Sequence, residues 1–236
     1  MIGFQFLVEN CDKDEYAYPM IKIDESLKVL RDYEDLTERA LDIAGLVSTL
    51  FRIRSVVLAL GGNLAFGAYV NAKFETPFLE LSAISGKVYP RLLQEIMAGQ
   101  LKATGMLDRW VLEGIEIIIQ PGKESPLRHL YRDFQTEFGP YKLVPIEELI
   151  AERLVAGTFP IPNETAYYEA FELVKSGMME QVAVDWGQLL KLCGQPEYRV
   201  EDELADIRQR VKKELDEEGF VGESHEQTPD EVPSDS

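Results

Sequence analysis

The sequence predicts an α/β protein in which a mixed β-sheet is flanked by helices and followed by a C-terminal helical subdomain. Three observations carry that prediction. Residues 55–60 (Ser-Val-Val-Leu-Ala-Leu) are almost continuously apolar and run into Gly61-Gly62, as a strand covered on both faces does before a tight turn. Two later apolar stretches, 78–81 and 111–119, also read as strands, and each holds an acidic residue in its apolar core, Glu80 and Glu116. Beyond Pro145 the strand patterns stop and helical ones take over.

Taken in chain order, residues 3–8 and 17–23 read as two strands of a hairpin joined by the charged turn Asp12-Lys13-Asp14-Glu15. Asp24 is placed to cap the next helix. Leu27, Leu30, Leu36, Ala40, Leu41, Ile43, Ala44 and Val47 then keep helical spacing to about Phe51, with a break near 33–35. The strand at 55–60, the glycine pair and a short helix follow. Residues 88–103 predict a helix with Leu92, Leu93, Ile96 and Leu101 inward, and 111–119 predict a single strand. Gln120-Pro121-Gly122-Lys123 is a turn, and 127–138 read as a short helix carrying Arg128, His129 and Arg132. After a short strand at 141–144, Pro145 starts a helix with Glu147 and Glu148 in its first turn. Residues 157–163, with two prolines, form a loop between C-terminal helices. Helices are expected at 164–175, 185–193 and 201–217, the last with Leu204, Ile207, Val211 and Leu215 on one stripe. Residues 219–236, acidic and rich in Pro and Ser, read as disordered. The expected organisation is a hairpin over 1–23, an α/β core over 24–145, a helical subdomain over 146–218 and a tail over 219–236.

Composition narrows the class. A chain of 236 residues with 45% hydrophobic content can bury one substantial core. No apolar run approaches the roughly 20 residues that cross a bilayer, and the N-terminus lacks a basic segment of the kind that opens a signal peptide. Cys11 and Cys193 lie far apart and point to free thiols in a reducing cytoplasm. Two histidines, His129 and His225, argue against histidine-based zinc chemistry. The net charge is −18, from 42 acidic and 24 basic residues; seven of the acids lie from Glu217 onward, so the rest carries −18 − (−7) = −11. Such a surface repels polyanions, so nucleic acid is not the expected partner. Arg52, Arg54, Lys87 and Arg91, or Lys123, Arg128 and Arg132, would form a local basic face, unless they are scattered surface charges.

The chemistry-bearing residues centre on the glycine pair. Gly61 and Gly62 allow a tight turn and let phosphate oxygens approach backbone amides, with the next helix directing its N-terminus at the same spot. An ordinary strand-to-helix turn is the plainer alternative. Glu80 sits between Leu79 and Leu81, and Glu116 within a run of isoleucines. A carboxylate in such a setting is costly unless paired, coordinated or directed into a cleft; a water-facing edge strand is the alternative for both. Tyr167, Tyr168, Phe171 and Trp186 either stack on a base or, at helical spacing, belong to the core.

Gly61, Gly62, Ala65, Tyr69 and Thr76, in this order before an acid-bearing strand, resemble the signature of the nucleotidyltransferase superfamily related to DNA polymerase β. The likeness is to its minimal, toxin-like bacterial members, some of which belong to toxin–antitoxin pairs, and spans about 54–210. In that family the strand after the Thr carries Asp-x-Asp, two carboxylates on one strand face that hold divalent metal with a third from a neighbouring strand. Here the pair falls on Phe78 and Glu80 and the third carboxylate on Glu116. The basic residue usual before the Thr falls on Phe74, with Lys73 one position off, while Arg153 fills the basic position of the helix after the sheet. The resemblance implies an NTP ligand held by Gly61, Gly62 and Thr76, with Lys123 near enough to join them. It implies Mg²⁺ on Glu80 and Glu116, one of which would also act as catalytic base.

Three functions stay open on the sequence. One is transfer of a nucleoside monophosphate from an NTP to a hydroxyl of a small-molecule or protein acceptor. Another is a catalytically inactive relative that binds a nucleotide or a protein partner. The third is an unrelated α/β interaction protein. Phe78 separates the first two, since it cannot ligate a metal. A mixed sheet with Glu80 and Glu116 on adjacent strands beside Gly61 would exclude the third.

Overall fold

The computed structural model describes residues 22–122, 125 and 127–219. Nearly all of the expected N-terminal hairpin, the acidic tail after Gly219, and Lys123 lie outside the described residues.

Helix α1 (Ile23–Arg31) begins one residue before Asp24, so Asp24 is not its cap; Asp24 and Glu25 instead occupy the first turn, where acids oppose the helix dipole. The expected break is real. Asp35 caps α2 (Leu36–Ile53), accepting hydrogen bonds from the backbone N–H groups of Thr37 and Glu38. The chain continues through β1 (Val57–Gly61), α3 (Gly62–Val70), β2 (Phe78–Ser85), α4 (Pro90–Leu93), β3 (Thr104–Met106), β4 (Arg109–Leu112), β5 (Ile115–Gln120), β6 (Arg132–Thr136) and β7 (Gly139–Leu143).

These strands form one mixed sheet in the order β3-β4-β5-β2-β1-β7-β6. β1 runs antiparallel to β2 and parallel to β7, β2 runs parallel to β5, and β3-β4, β4-β5 and β6-β7 are antiparallel. Because side chains alternate along a strand, one face collects Leu58, Leu60, Leu79, Leu81, Ile117 and Ile119, all buried with Ile43, Leu46, Val47 and Phe51 of α2. The other face carries Glu80, Ser82 and Glu116.

Three local expectations are corrected. Residues 111–119 are two strands, since Glu113 and Gly114 both have positive φ (48° and 81°), the backbone that a two-residue hairpin turn demands. Residues 127–138 are a 3₁₀ turn, Arg128–Leu130, followed by β6, in which Asp133 and Gln135 alternate outward against Phe134 and Thr136. The helix expected at 88–103 runs as α4 and then as a π-helical stretch, Gln94–Gln100, closed by a Leu101 N–H to Ile96 C=O bond; Leu92, Leu93, Ile96 and Leu101 are buried as expected.

After Pro145 come α5 (Ile146–Thr158), α6 (Glu164–Met178), α7 (Trp186–Cys193) and α8 (Glu201–Glu217). α5 extends past Gly157, which lies in the helix: a Cβ there would come within 3.0 Å of Tyr167. Asp185 caps α7 through the Gln188 N–H, and Leu204, Ile207, Val211 and Leu215 are the buried stripe of α8. Arg208 lies 4.7 Å from the Trp186 ring centroid and Arg210 lies 5.7 Å from that of Tyr167, so two of the four aromatics pack beneath guanidinium groups. Tyr168 is exposed. No helix among the described residues is long and apolar enough to cross a membrane.

Candidate functional site at the glycine turn

The two glycines have different roles. Gly61 ends β1 in extended backbone (φ −121°), a conformation open to any residue. Gly62 starts α3 at φ +63°, and a Cβ on it would lie 2.1 Å from Glu80 Oε2. The Glu80 carboxylate therefore rests against the Gly62 α-carbon at the N-terminus of α3. It is brought there by strand register, in which Gly61 pairs with Glu80. A side chain at 62 would be both strained and obstructed.

Register also settles which residues share this face. One row across the sheet reads Gly61, Glu80, Ile118, Arg109; the next reads Phe78, Glu116, Val111. Glu80 and Glu116 thus lie on the same face of adjacent strands, two positions apart, with α-carbons about 8 Å apart from the strand spacing and rise. Glu116 is not free: Arg109 Nη1 donates to its Oε1 at 2.9 Å. Both side chains are exposed (50% for Glu116, 66% for Arg109), so water weakens the pair. Phe78 is the direct cross-strand neighbour of Glu116. Glu80 is half-buried and has no hydrogen-bond or ion-pair partner among the described residues.

Behind the turn the C-terminal helices contribute a buried charge system. Arg153 of α5 donates from Nη2 to Asn63 Oδ1 at 3.2 Å, and its Nε lies 2.6 Å from Glu169 Oε2 of α6. Glu169 is only 7% exposed. Burial pushes its carboxyl above the usual range, Arg153 pulls it back, and the charge of Glu80 raises it further. Asn63, Glu80, Arg153 and Glu169 therefore act as one electrostatic unit around the start of α3. Glu169 was not singled out in the sequence; its only signal is an acid on the helix face that also carries Ala166, Ala170 and Leu173.

Further ties hold the surroundings. The Tyr69 hydroxyl donates to the Val144 carbonyl at 2.6 Å, fixing the end of α3 to the β7–α5 junction, and Arg132 lies 5.5 Å from the Tyr69 ring centroid. Burial raises the Tyr69 phenol well above its ordinary range. Glu147, buried in the first turn of α5, accepts from the Asp185 N–H at 2.6 Å, and Glu148 accepts from the Ser125 hydroxyl at 2.8 Å. Thr76 is exposed, in the loop leading to β2.

These residues do not fit a two-metal centre. Phe78 offers no donor, Glu116 already has a guanidinium on it, and the described residues contain no group of three or more His, Cys, Asp or Glu placed to hold a metal ion.

No family model matches the sequence. The curated proteins give no match either. Among solved structures, the chain is similar to the crystal structure of an antigenic nucleotidyltransferase-like protein from Paracoccidioides brasiliensis, at 12% identity and a TM-score of 0.49, covering 82% of this chain and 91% of that one. The likeness is loose. It assigns no residue of this chain a role.

Proposed function

We propose that this chain is a nucleotidyltransferase-like protein that has kept the glycine turn and lost two-metal nucleotidyl transfer, and that it serves as a metal-independent nucleotide-binding module. The carrying observation is the pairing of Phe78 with Glu116 on adjacent strands while Arg109 donates to that carboxylate. Gly62 and the start of α3, with Arg153 beside Asn63, would receive a phosphate once the Glu80 carboxylate swings off the Gly62 α-carbon. A protein partner or a cationic small molecule suits the net charge of −18 better than nucleic acid as a second ligand. In this reading 24–145 carries the nucleotide site and 146–218 is the helical subdomain that backs it through Arg153 and Glu169.

The test is calorimetric titration of the full chain with each NTP, with and without Mg²⁺ or Mn²⁺. Binding that needs no metal and weakens in Arg153→Met with Glu169→Leu, which orphans neither charge, supports the proposal. Metal-dependent binding lost in Glu80→Ala and Glu116→Ala, with release of pyrophosphate, replaces it with a working transferase that holds one metal on those two carboxylates. One observation favours that second reading: Glu80 has no cation on it among the described residues and shares a sheet face with Glu116. Absence of binding to every NTP transfers the role to protein interaction.

A further inference from the structure

The opposite end of the central strands holds a different feature. Because β1 and β2 are antiparallel, the segment entering β1 lies beside the segment leaving β2, with Val57 paired to Ser85. Gly86 is packed so closely there that a Cβ on it would come 2.4 Å from the Ser55 carbonyl oxygen. The C-terminus of α2 and the start of α4 consequently converge, and Arg54 reaches Glu95 across the gap. The convergence gathers Arg52, Arg54, Lys87 and Arg91 at one end of the sheet, with Lys87 and Arg91 exposed. Two apolar side chains stand among them in water, Ile53 (55% exposed) and Tyr89 (52%). Within these two segments, 52–56 and 86–95, Glu95 is the sole acid, on a chain whose net charge is −18.

We propose that this basic, partly apolar end of the sheet is the docking site of the chain's own acidic C-terminal segment, residues 220–236. Charge complementarity carries the choice of occupant. The segment contains Glu223, Glu226, Asp230, Glu231 and Asp235 and no Lys or Arg, with Phe220, Val221 and Val232 to meet Ile53 and Tyr89. Its tether also favours it. Seventeen residues (220–236) reach about 55 Å when extended, against a radius of gyration of about 17.5 Å for a folded chain of this size. Covalent attachment through a short linker holds such a segment at an effective concentration of about 1 mM, which populates contacts too weak to form between separate molecules.

Carbodiimide coupling, which condenses an amine with a carboxylate in contact, tests this on the full chain prepared as an equal mixture of ¹⁴N and ¹⁵N copies. The expected product joins Lys87 to a carboxylate of 220–236, with both peptides of one isotope. Its yield is expected to fall at least about fivefold at about 0.5 M NaCl, where screening is short-ranged, and likewise in Arg91→Glu. A variant with Glu226→Gln, Asp230→Asn and Glu231→Gln is expected to speed acetylation of Lys87 without changing the thermal melt. Links of mixed isotope would assign the patch to the tail of a second copy and overturn the proposal. Coupling of the tail to Lys191 or Lys212 but not Lys87 would also overturn it. So would binding of a single-stranded ribo-oligonucleotide that Arg91→Glu abolishes while Lys87 couples to no tail carboxylate.

Discussion

Gly62→Ala is the most informative single change at the turn, because the structure gives it two separable costs. The residue sits at φ +63°, and an added Cβ would meet Glu80 Oε2 at 2.1 Å and Glu80 Cδ at 2.7 Å. A left-handed backbone costs a non-glycine residue about 1–2 kcal/mol. Moving the Glu80 carboxylate off its rotamer, on a side chain free to swing, costs about 0.5–1.5 kcal/mol more. The expected loss is therefore about 2–3 kcal/mol, which at a urea slope of about 2–3 kcal/mol/M lowers the unfolding midpoint by about 1 M. Gly61→Ala is the control: its backbone is extended and its nearest neighbour would be Val144 Cγ1 at 3.8 Å, so it is expected to stay within about 0.5 kcal/mol of the parent. Gly62→Ala with Glu80→Ala should recover the second cost and leave the first, a coupling of about 1 kcal/mol in a double-mutant cycle. Equal losses from the two glycines, or a Gly62→Ala midpoint unchanged within error, would show that neither the backbone at 62 nor the Glu80 contact carries a cost.

The other predictions concern buried charge and the thiol. Arg153→Ala strands Glu169 in the interior and is expected to cost about 3–5 kcal/mol at pH 7, the loss shrinking toward pH 4 as the raised Glu169 carboxyl takes up a proton; urea midpoints at both pH values check it. Arg153→Met with Glu169→Leu is expected to cost less than Arg153→Ala alone, because neither charge is orphaned. Burial holds the Asp42 carboxyl above its usual range despite the Tyr33 hydroxyl bonded to it at 2.7 Å, so its contribution to stability is full below the unfolded pKa and declines as pH rises through the folded one. Asp42→Asn should therefore gain stability relative to the parent between pH 4 and pH 8 in thermal melts. Tyr69→Phe is expected to cost about 1 kcal/mol through the lost bond to Val144, read in the same melts. Burial pushes the Cys193 thiol up to about 11, so peptide mapping after iodoacetamide at pH 8 should find Cys193 alkylated only once the chain is unfolded.

The features legible along the chain are periodic or covalently local. The apolar run into Gly61-Gly62 announced β1 and its turn, and the stripe Leu204, Ile207, Val211, Leu215 announced α8, because a face that must be buried repeats at the period of its element. The break near 33–35 and the helix start at 185 were legible, and the structure places the caps Asp35 and Asp185 there, each acting on N–H groups two or three residues away. The misreadings are also local: Glu113-Gly114 hid a hairpin turn inside an apolar run, and Arg132–Thr136 alternates too briefly to outweigh a helical pattern. Which charges meet is set by packing and strand register. Phe78 beside Glu116, Arg109 on Glu116, and Glu80 against Gly62 depend on strand register. Arg153 between Asn63 and Glu169 depends on how α5 and α6 pack behind α3. Electrostatic energy falls with distance through space and is indifferent to distance along the chain, so a sequence can supply the carboxylates and guanidiniums of such a site while the fold alone pairs them.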